Sequence, residues 1–216
     1  MSGRHVILVH GLWMSGYEMS WLGRRLARCG FRPLRFPYSS LRASVADNAA
    51  DLLRFCAHHR LELPHFVAHS LGGLVVLRAL CEAPHLSDAR VVLLGTPVAG
   101  SVAARSLAAR RWARPLFGTS LAEGLAGGAR LPQARRNIGV IAGTRPLGTG
   151  RLSGALSQAS DGAVAFAETV LPGSGDAIQV PTSHMGLLLS RAVAERCCQF
   201  LRHGRFAGPG SESATL

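Results

Sequence analysis

The residues best suited to do chemistry are Ala68-His69-Ser70-Leu71-Gly72-Gly73. A serine hydroxyl is a weak nucleophile until a base takes its proton and nearby donors hold the charge that develops on the attacked carbonyl. Ser70 stands where an apolar strand gives way to a helical pattern. A serine at such a junction sits in a tight, strained turn that lifts its hydroxyl above the sheet edge. Small flanking residues are needed because strand and helix come close, and Ala68 and Gly72 meet that need. The helix that begins after Ser70 points free N–H groups at the reacting centre, which makes the Leu71 N–H an oxyanion donor. His10-Gly11-Leu12 ends the first apolar run and offers a second, because the glycine lets the Leu12 N–H turn toward a substrate carbonyl. Taken singly, these motifs are a serine N-cap and a strand-ending turn. The strand-to-helix placement of Ser70 argues for more.

The serine needs a base, and the base needs an orienting acid. The chain has nine histidines. His58 and His59 close a helix, where a cation suits the C-terminus. His69 precedes the serine, so its side chain is expected to point away from the site. His184, in Ser183-His184-Met185-Gly186-Leu187-Leu188, lies between the last strand and the last helix, at the sheet edge that also carries Ser70. Only 12 Asp and Glu residues are available. Asp161, in Ser160-Asp161-Gly162-Ala163-Val164, lies in a loop ahead of His184, whereas Asp176 stands at the start of a strand and so at the opposite edge. The expected roles are Ser70 as nucleophile, Asp161 as acid partner and His184 as base. The Leu12 and Leu71 N–H groups form the oxyanion hole, and Trp13 and Met185 contact substrate. This chemistry calls for no metal and no organic cofactor.

The elements that must position these residues alternate. Short apolar runs predict strands at His5–Val9, Phe31–Phe36, His65–His69, Ala89–Leu94, Asn137–Ala142 and Ala177–Val180. Helical patterns fill the gaps: Tyr17–Cys29 stopped by Gly30, a helix begun at Ser44 with Asp47 at capping-box spacing, Leu71–Cys81, and Arg191–Arg202 capped by Ser190. In the second helix Val45, Leu52, Leu53 and Cys56 share a face. Such alternation predicts an α/β fold of about six mostly parallel strands with helices on both faces. One domain is expected over residues 1–206, followed by a disordered tail at 207–216. Residues 97–136 hold a small cap or a plain crossover; the plain crossover is favoured, with a helix at Ser101–Trp112 burying Val102, Leu107 and Trp112. Residues 143–160 are Gly- and Ser-rich and are expected to form a flexible loop.

Composition excludes several classes. With 216 residues, 48% of them hydrophobic and 17% charged, the chain can bury a core and is not a disordered protein. The apolar run near the N-terminus is shorter than a signal-peptide core, so a cytoplasmic protein is expected. The five cysteines are scattered without a C-x-x-C spacing, which suggests neither a zinc site nor a disulfide framework. The net charge is +12, and all 24 basic residues are arginine. They run from Arg4 to Arg205 without the interleaved aromatics of a nucleic-acid surface. No nucleic-acid partner is expected; peripheral contact with an anionic membrane surface fits the charge.

The segments HGLW, AHSLGG, SDGAV and SHMGLLLS together resemble the bacterial lipases and esterases of the α/β-hydrolase fold, in particular the minimal lid-less lipases. They fall between residues 10 and 190 in that family's order, with serine, acid and histidine following one another along the chain. The resemblance implies a single-domain α/β-hydrolase fold. It also implies Ser70 as nucleophile, His184 as base, Asp161 as its partner, and the Leu12 and Leu71 N–H groups as oxyanion hole. The implied activity is hydrolysis of small-molecule or lipid carboxylic esters with short to medium acyl chains through an acyl-enzyme. Thioesterase or acyltransferase chemistry on the same three residues is the alternative, and a non-catalytic hydrolase-like binding protein a further one. The chain departs from the compact lipases in the extra residues Gly143–Ser160 and in Trp13 beside the oxyanion segment.

Overall fold

Alternating side chains on short apolar strands supply two faces at once, and the fold uses both. The computed structural model describes residues 4–108, 130–133, 135–147 and 160–206. Its strands are β1 His5–Val9, β2 Arg32–Arg35, β3 His65–His69, β4 Val91–Leu94, β5 Ile138–Gly143 and β6 Asp176–Val180. They form one parallel sheet in the order β2-β1-β3-β4-β5-β6. Ile7, Val9, Phe66, Ala68, Val91, Leu93, Ile138 and Val140 point to one face. There they pack with α2 (Val45–His58) and α3 (Leu71–Glu82). Their neighbours Val6, Leu8, Val67, Val92, Leu94 and Ile141 point to the other. That face is covered by α1 (Ser20–Arg28), α6 (Gly186–Leu189) and α7 (Arg191–His203). The remaining helices are α4 (Val102–Ala108) and α5 (Phe166–Thr169).

Local chemistry sets the helix ends. Ser44 Oγ accepts the Asp47 N–H at 3.0 Å while the Ser44 N–H donates to Asp47 Oδ2 at 3.2 Å, so the shorter acid does close the capping box of α2. Ser190 caps α7 by accepting the Val193 N–H, and Gly204, at φ 73°, ends it. Because all strands are parallel, the residues after β1, β3, β4, β5 and β6 meet at one edge of the sheet, and those before them at the other.

Four expectations are corrected. Tyr17–Met19 forms a 3₁₀ turn, so the α-helix starts only at Ser20. Val102 is exposed at 39%, and Ala104 is the position of α4 that meets the core. The Leu107 side chain and Trp112 lie outside the described residues, as do residues 109–129, most of the 143–160 loop and the tail from 207. Cys29 and Cys198 are joined in a disulfide, where the sequence suggested none; the two are 169 residues apart and meet because α1 packs against α7. Cys56, Cys81 and Cys197 are free thiols. The fourth correction concerns His69 and belongs to the site. Among the described residues no helix is long and apolar enough to cross a membrane.

Candidate active site

Ser70 lies between the last residue of β3 and the first of α3, with φ 53° and ψ −122°. A non-glycine residue in that region is strained, by about 1–3 kcal/mol, and persists only where the surroundings impose it. Here they do. The Ser70 N–H donates to the Leu94 carbonyl at 2.9 Å, which holds the turn in the sheet. α3 then runs so close to β1 that a Cβ at Gly72 would stand 2.3 Å from the His10 carbonyl oxygen. Leu71 is the first residue of α3, where N–H groups have no acceptor inside the helix.

The turn after β1 abuts the serine. A Cβ at Gly11 would stand 3.2 Å from Ser70 Cβ and 3.0 Å from His69 Nδ1. The Gly11 N–H is taken by Met14 Sδ at 3.2 Å. His10 is fully buried and stacked on Tyr38 at 4.2 Å, and the Tyr38 hydroxyl donates to the His10 carbonyl at 2.7 Å. Burial lowers the His10 pKa and raises that of Tyr38, so the ring stays neutral and the phenol stays a donor. These contacts hold the turn that carries Leu12 and Trp13. Trp13 itself has φ 59° and is 55% exposed.

Asp161 and His184 are brought together. His184 Nδ1 donates to Asp161 Oδ2 at 2.6 Å, and Asp161 Oδ1 accepts from the Ala163 and Val164 N–H groups at 2.9 and 2.8 Å. The two backbones are tied as well, since the His184 N–H donates to the Asp161 carbonyl at 2.9 Å. Burial alone would raise the Asp161 carboxyl. The hydrogen bond and charge of His184, with the Val164 and Ala163 N–H groups, outweigh that and hold it below its usual value. Asp161 is therefore a buried anion that fixes the His184 tautomer with the proton on Nδ1 and the lone pair on Nε2. Met185 follows at the surface, 48% exposed. Asp176 starts β6 at the far edge, and its oxygens accept the Ala177 and Phe206 N–H groups at 2.8 and 2.7 Å.

His69 does not point away. Its ring is buried against the His184 ring, with centroids 4.5 Å apart, and Nε2 lies 3.0 Å from the His184 carbonyl oxygen. Burial, then the nearby His184, depresses its pKa to about 3, so it is a neutral donor there. Sequence offered one signal for this contact, the adjacency of His69 to Ser70, but nothing tied it to His184. Gly95, directly after β4, was also missed. At φ 56° a Cβ there would stand 2.9 Å from Asp161 Oδ2 and 3.0 Å from His184 Nδ1. A glycine immediately after an apolar strand was the available sign.

The chain belongs to the alpha/beta hydrolase family, whose sequence profile matches residues 6–199. Its fold is similar to that of a lipase of Bacillus licheniformis in mature form: 20% identity, TM-score 0.73, covering 94% of this chain and 92% of that one. The propeptide form of that lipase aligns with all of this chain at 21% identity and TM-score 0.76, and this chain spans 53% of it. The carboxylesterase CesB of Bacillus subtilis is similar at 15% identity and TM-score 0.58, over 94% of this chain and 84% of that one. At these identities the likeness is one of fold. No curated protein matches the sequence.

Proposed function

We propose that the protein is a serine carboxylic-ester hydrolase. The observation that carries this is the pairing of a strained serine at the β3–α3 junction with a buried Asp161–His184 couple from the same sheet edge. In the proposed cycle His184 Nε2 takes the Ser70 proton as the oxygen attacks the acyl carbonyl. The Leu12 and Leu71 N–H groups hold the oxyanion, and Asp161 stabilises the imidazolium that forms. His184 then protonates the leaving alcohol. Water repeats the sequence on the acyl-enzyme, releasing the acid and restoring Ser70.

Trp13 and Met185, exposed beside the oxyanion turn and the base, are the proposed substrate contacts. Their placement favours short to medium acyl chains taken up as dissolved monomers. The fold neighbours named lipase and carboxylesterase support the ester reading.

The test is a chain-length series of p-nitrophenyl esters and matching thioesters, run with a serine-directed phosphonate. Hydrolysis should rise smoothly with ester concentration, with no jump at micelle formation, and the phosphonate should label Ser70. Labelling of another serine overturns the assignment, and preference for thioesters moves it to the thioesterase alternative.

A cytoplasmic location, expected from the sequence, requires Cys29 and Cys198 to be held as thiols, because disulfides persist in oxidising compartments. Thiol titration of protein isolated without reductant decides between the two.

A further inference from the structure

The parallel sheet has a second edge, opposite the one that carries Ser70. Every strand begins there, and so do the ends of α1, α2, α3 and α7. Arginines recur at these positions: Arg4 before β1, Arg28 at the end of α1, Arg32 at the start of β2, Arg60 before β3, Arg90 before β4, Arg136 before β5 and Arg202 at the end of α7. They lie along one side of the sheet. The Arg32 N–H donates to the Arg4 carbonyl at 3.0 Å, and Phe66 N–H to the Arg90 carbonyl at 2.9 Å. Arg90 Nη1 reaches the Leu201 carbonyl at 2.9 Å, and Arg202 Nη2 the Cys29 carbonyl at 2.5 Å.

The acids at this edge do little to balance them. Both oxygens of Asp176 accept backbone N–H groups, and Glu82 is paired with Arg78. Glu62 and Asp88 are the other acids here among the described residues. At the Ser70 edge the signs are mixed, with Glu18, Asp47, Asp161 and Glu168 among Arg35, Arg42 and Arg145. The edges differ in their arginines rather than their acids, with Glu62, Glu82, Asp88 and Asp176 at this one and Glu18, Asp47, Asp161 and Glu168 at the other. The potential is felt inside the protein. His65, at the start of β3, has its pKa lowered to about 4, first by burial and then by Arg4 and Arg90.

We propose that this arginine-lined edge is a docking face for an anionic phospholipid surface and that it holds the protein with the Ser70 edge turned toward solution. A membrane suits the face better than a nucleic acid. The arginines are spread across the beginnings of five strands and the ends of α1 and α7 rather than along a groove, and among the described residues of this edge the aromatic side chains that stack on bases are missing apart from half-buried Phe31. The exposed apolar side chains Trp13, Tyr17, Met185 and Leu189 lie by the Ser70 edge, so mouth-first docking is the competing orientation.

The test is cosedimentation of the full chain with phosphatidylglycerol–phosphatidylcholine vesicles and with phosphatidylcholine vesicles, at about 0.1 M salt. There the screening length is about 10 Å, so only charges close to the surface contribute. Binding to the anionic vesicles alone is expected. The triple variant Arg28→Glu/Arg32→Glu/Arg136→Glu should weaken it by about a hundredfold or more, at roughly fivefold for each arginine lost. Arg42→Glu/Arg105→Glu/Arg145→Glu changes net charge equally at the other edge and should stay within a few-fold of the parent. Equal loss in both triples means net charge alone binds the lipid and overturns the docking face. A vesicle-induced shift in tryptophan emission that vanishes in Trp13→Phe shows mouth-first docking and overturns the orientation. Absence of vesicle binding, or displacement from vesicles by a single-stranded oligonucleotide at equal phosphate, overturns the lipid partner.

Discussion

Strand β3 carries a buried histidine at each end, and the fold treats the two differently. His65 Nδ1 accepts the Arg90 N–H at 3.1 Å, which puts the ring proton on Nε2, where the Arg4 guanidinium stands 3.5 Å away and offers no acceptor. His69 is bonded through Nε2, at the His184 carbonyl, while Nδ1 is buried without a hydrogen-bond partner. The two edges of the sheet differ as well. The edge of His65 has Arg60 at φ 52° and Gly175, where a Cβ would stand 1.9 Å from the Arg136 carbonyl oxygen. The edge of His69 collects a strained serine, a buried carboxylate and glycines at which a Cβ has no room. Both edges hold left-handed non-glycine backbone, and at the edge of His69 it stands beside a buried carboxylate paired with a histidine, where strain can position reacting groups.

Mutations at the edge of Ser70 should therefore cost rate more than stability, and mutations at the edge of His65 the reverse. The largest effect is expected at Ser70. Ser70→Ala should lower ester hydrolysis by about a million-fold. Ser70→Gly should be equally inactive yet more stable than Ser70→Ala by about 1 kcal/mol, because glycine adopts φ 53° without strain. Denaturant midpoints of the two variants measure the difference, and equal stabilities would show that the turn is not strained.

Next come the two aspartates, one at each edge. Asp161→Asn should reduce kcat by about 10⁴ through loss of the His184 tautomer. Asp176→Asn should leave kcat unchanged and cost about 1 kcal/mol of stability from weakened bonds to the Ala177 and Phe206 N–H groups. The reverse pattern would assign the acid to Asp176. Gly95→Ala should follow, with kcat down about a hundredfold as the new methyl group wedges apart Asp161 and His184.

The smallest expected effects compare the two histidines directly. His69→Leu should lower kcat about tenfold with KM unchanged, because the ring only supports His184. His69→Gln keeps a donor for the His184 carbonyl and should recover part of that loss. A fall in folding stability with no change in kcat would make His69 a packing residue only.

His65→Asn should leave kcat alone and act through pH. The folded-state pKa of His65, about 4, lies below its ordinary 6.5. The unfolded chain therefore binds a proton that the folded one refuses. Stability is greatest above pH 6.5 and declines as the pH falls toward 4, with a slope approaching about 1.4 kcal/mol per pH unit from this group. Urea midpoints between pH 7 and 4 should fall less steeply for His65→Asn than for the parent.

Most of the sheet was legible because its signals are local. Short apolar runs marked β1, β3 and β4, and Ser44 with Asp47 marked the start of α2. The strand-then-helix setting of AHSLGG singled out Ser70. Val102 was misjudged because the helix face of a seven-residue element depends on where it starts, and Ala104 proved to be the buried position. The Cys29–Cys198 pairing and the stacking of His10 on Tyr38 had no signal in spacing, since each joins elements from different parts of the chain.

By itself the sequence determined which segments become strands and helices, where α2, α3 and α7 begin, and which serine, acid and histidine follow one another in order. Those properties follow from the periodicity of burial and from caps and turns a few residues long. Only the tertiary structure decided that His69 lies under His184, that Gly95 leaves room for the Asp161–His184 bond, and that Arg4, Arg32 and Arg90 share one edge. The reason is the parallel strand order β2-β1-β3-β4-β5-β6, which sends all strand starts to one side and all strand ends to the other. Residues more than a hundred positions apart become neighbours through that arrangement, and no local pattern records it.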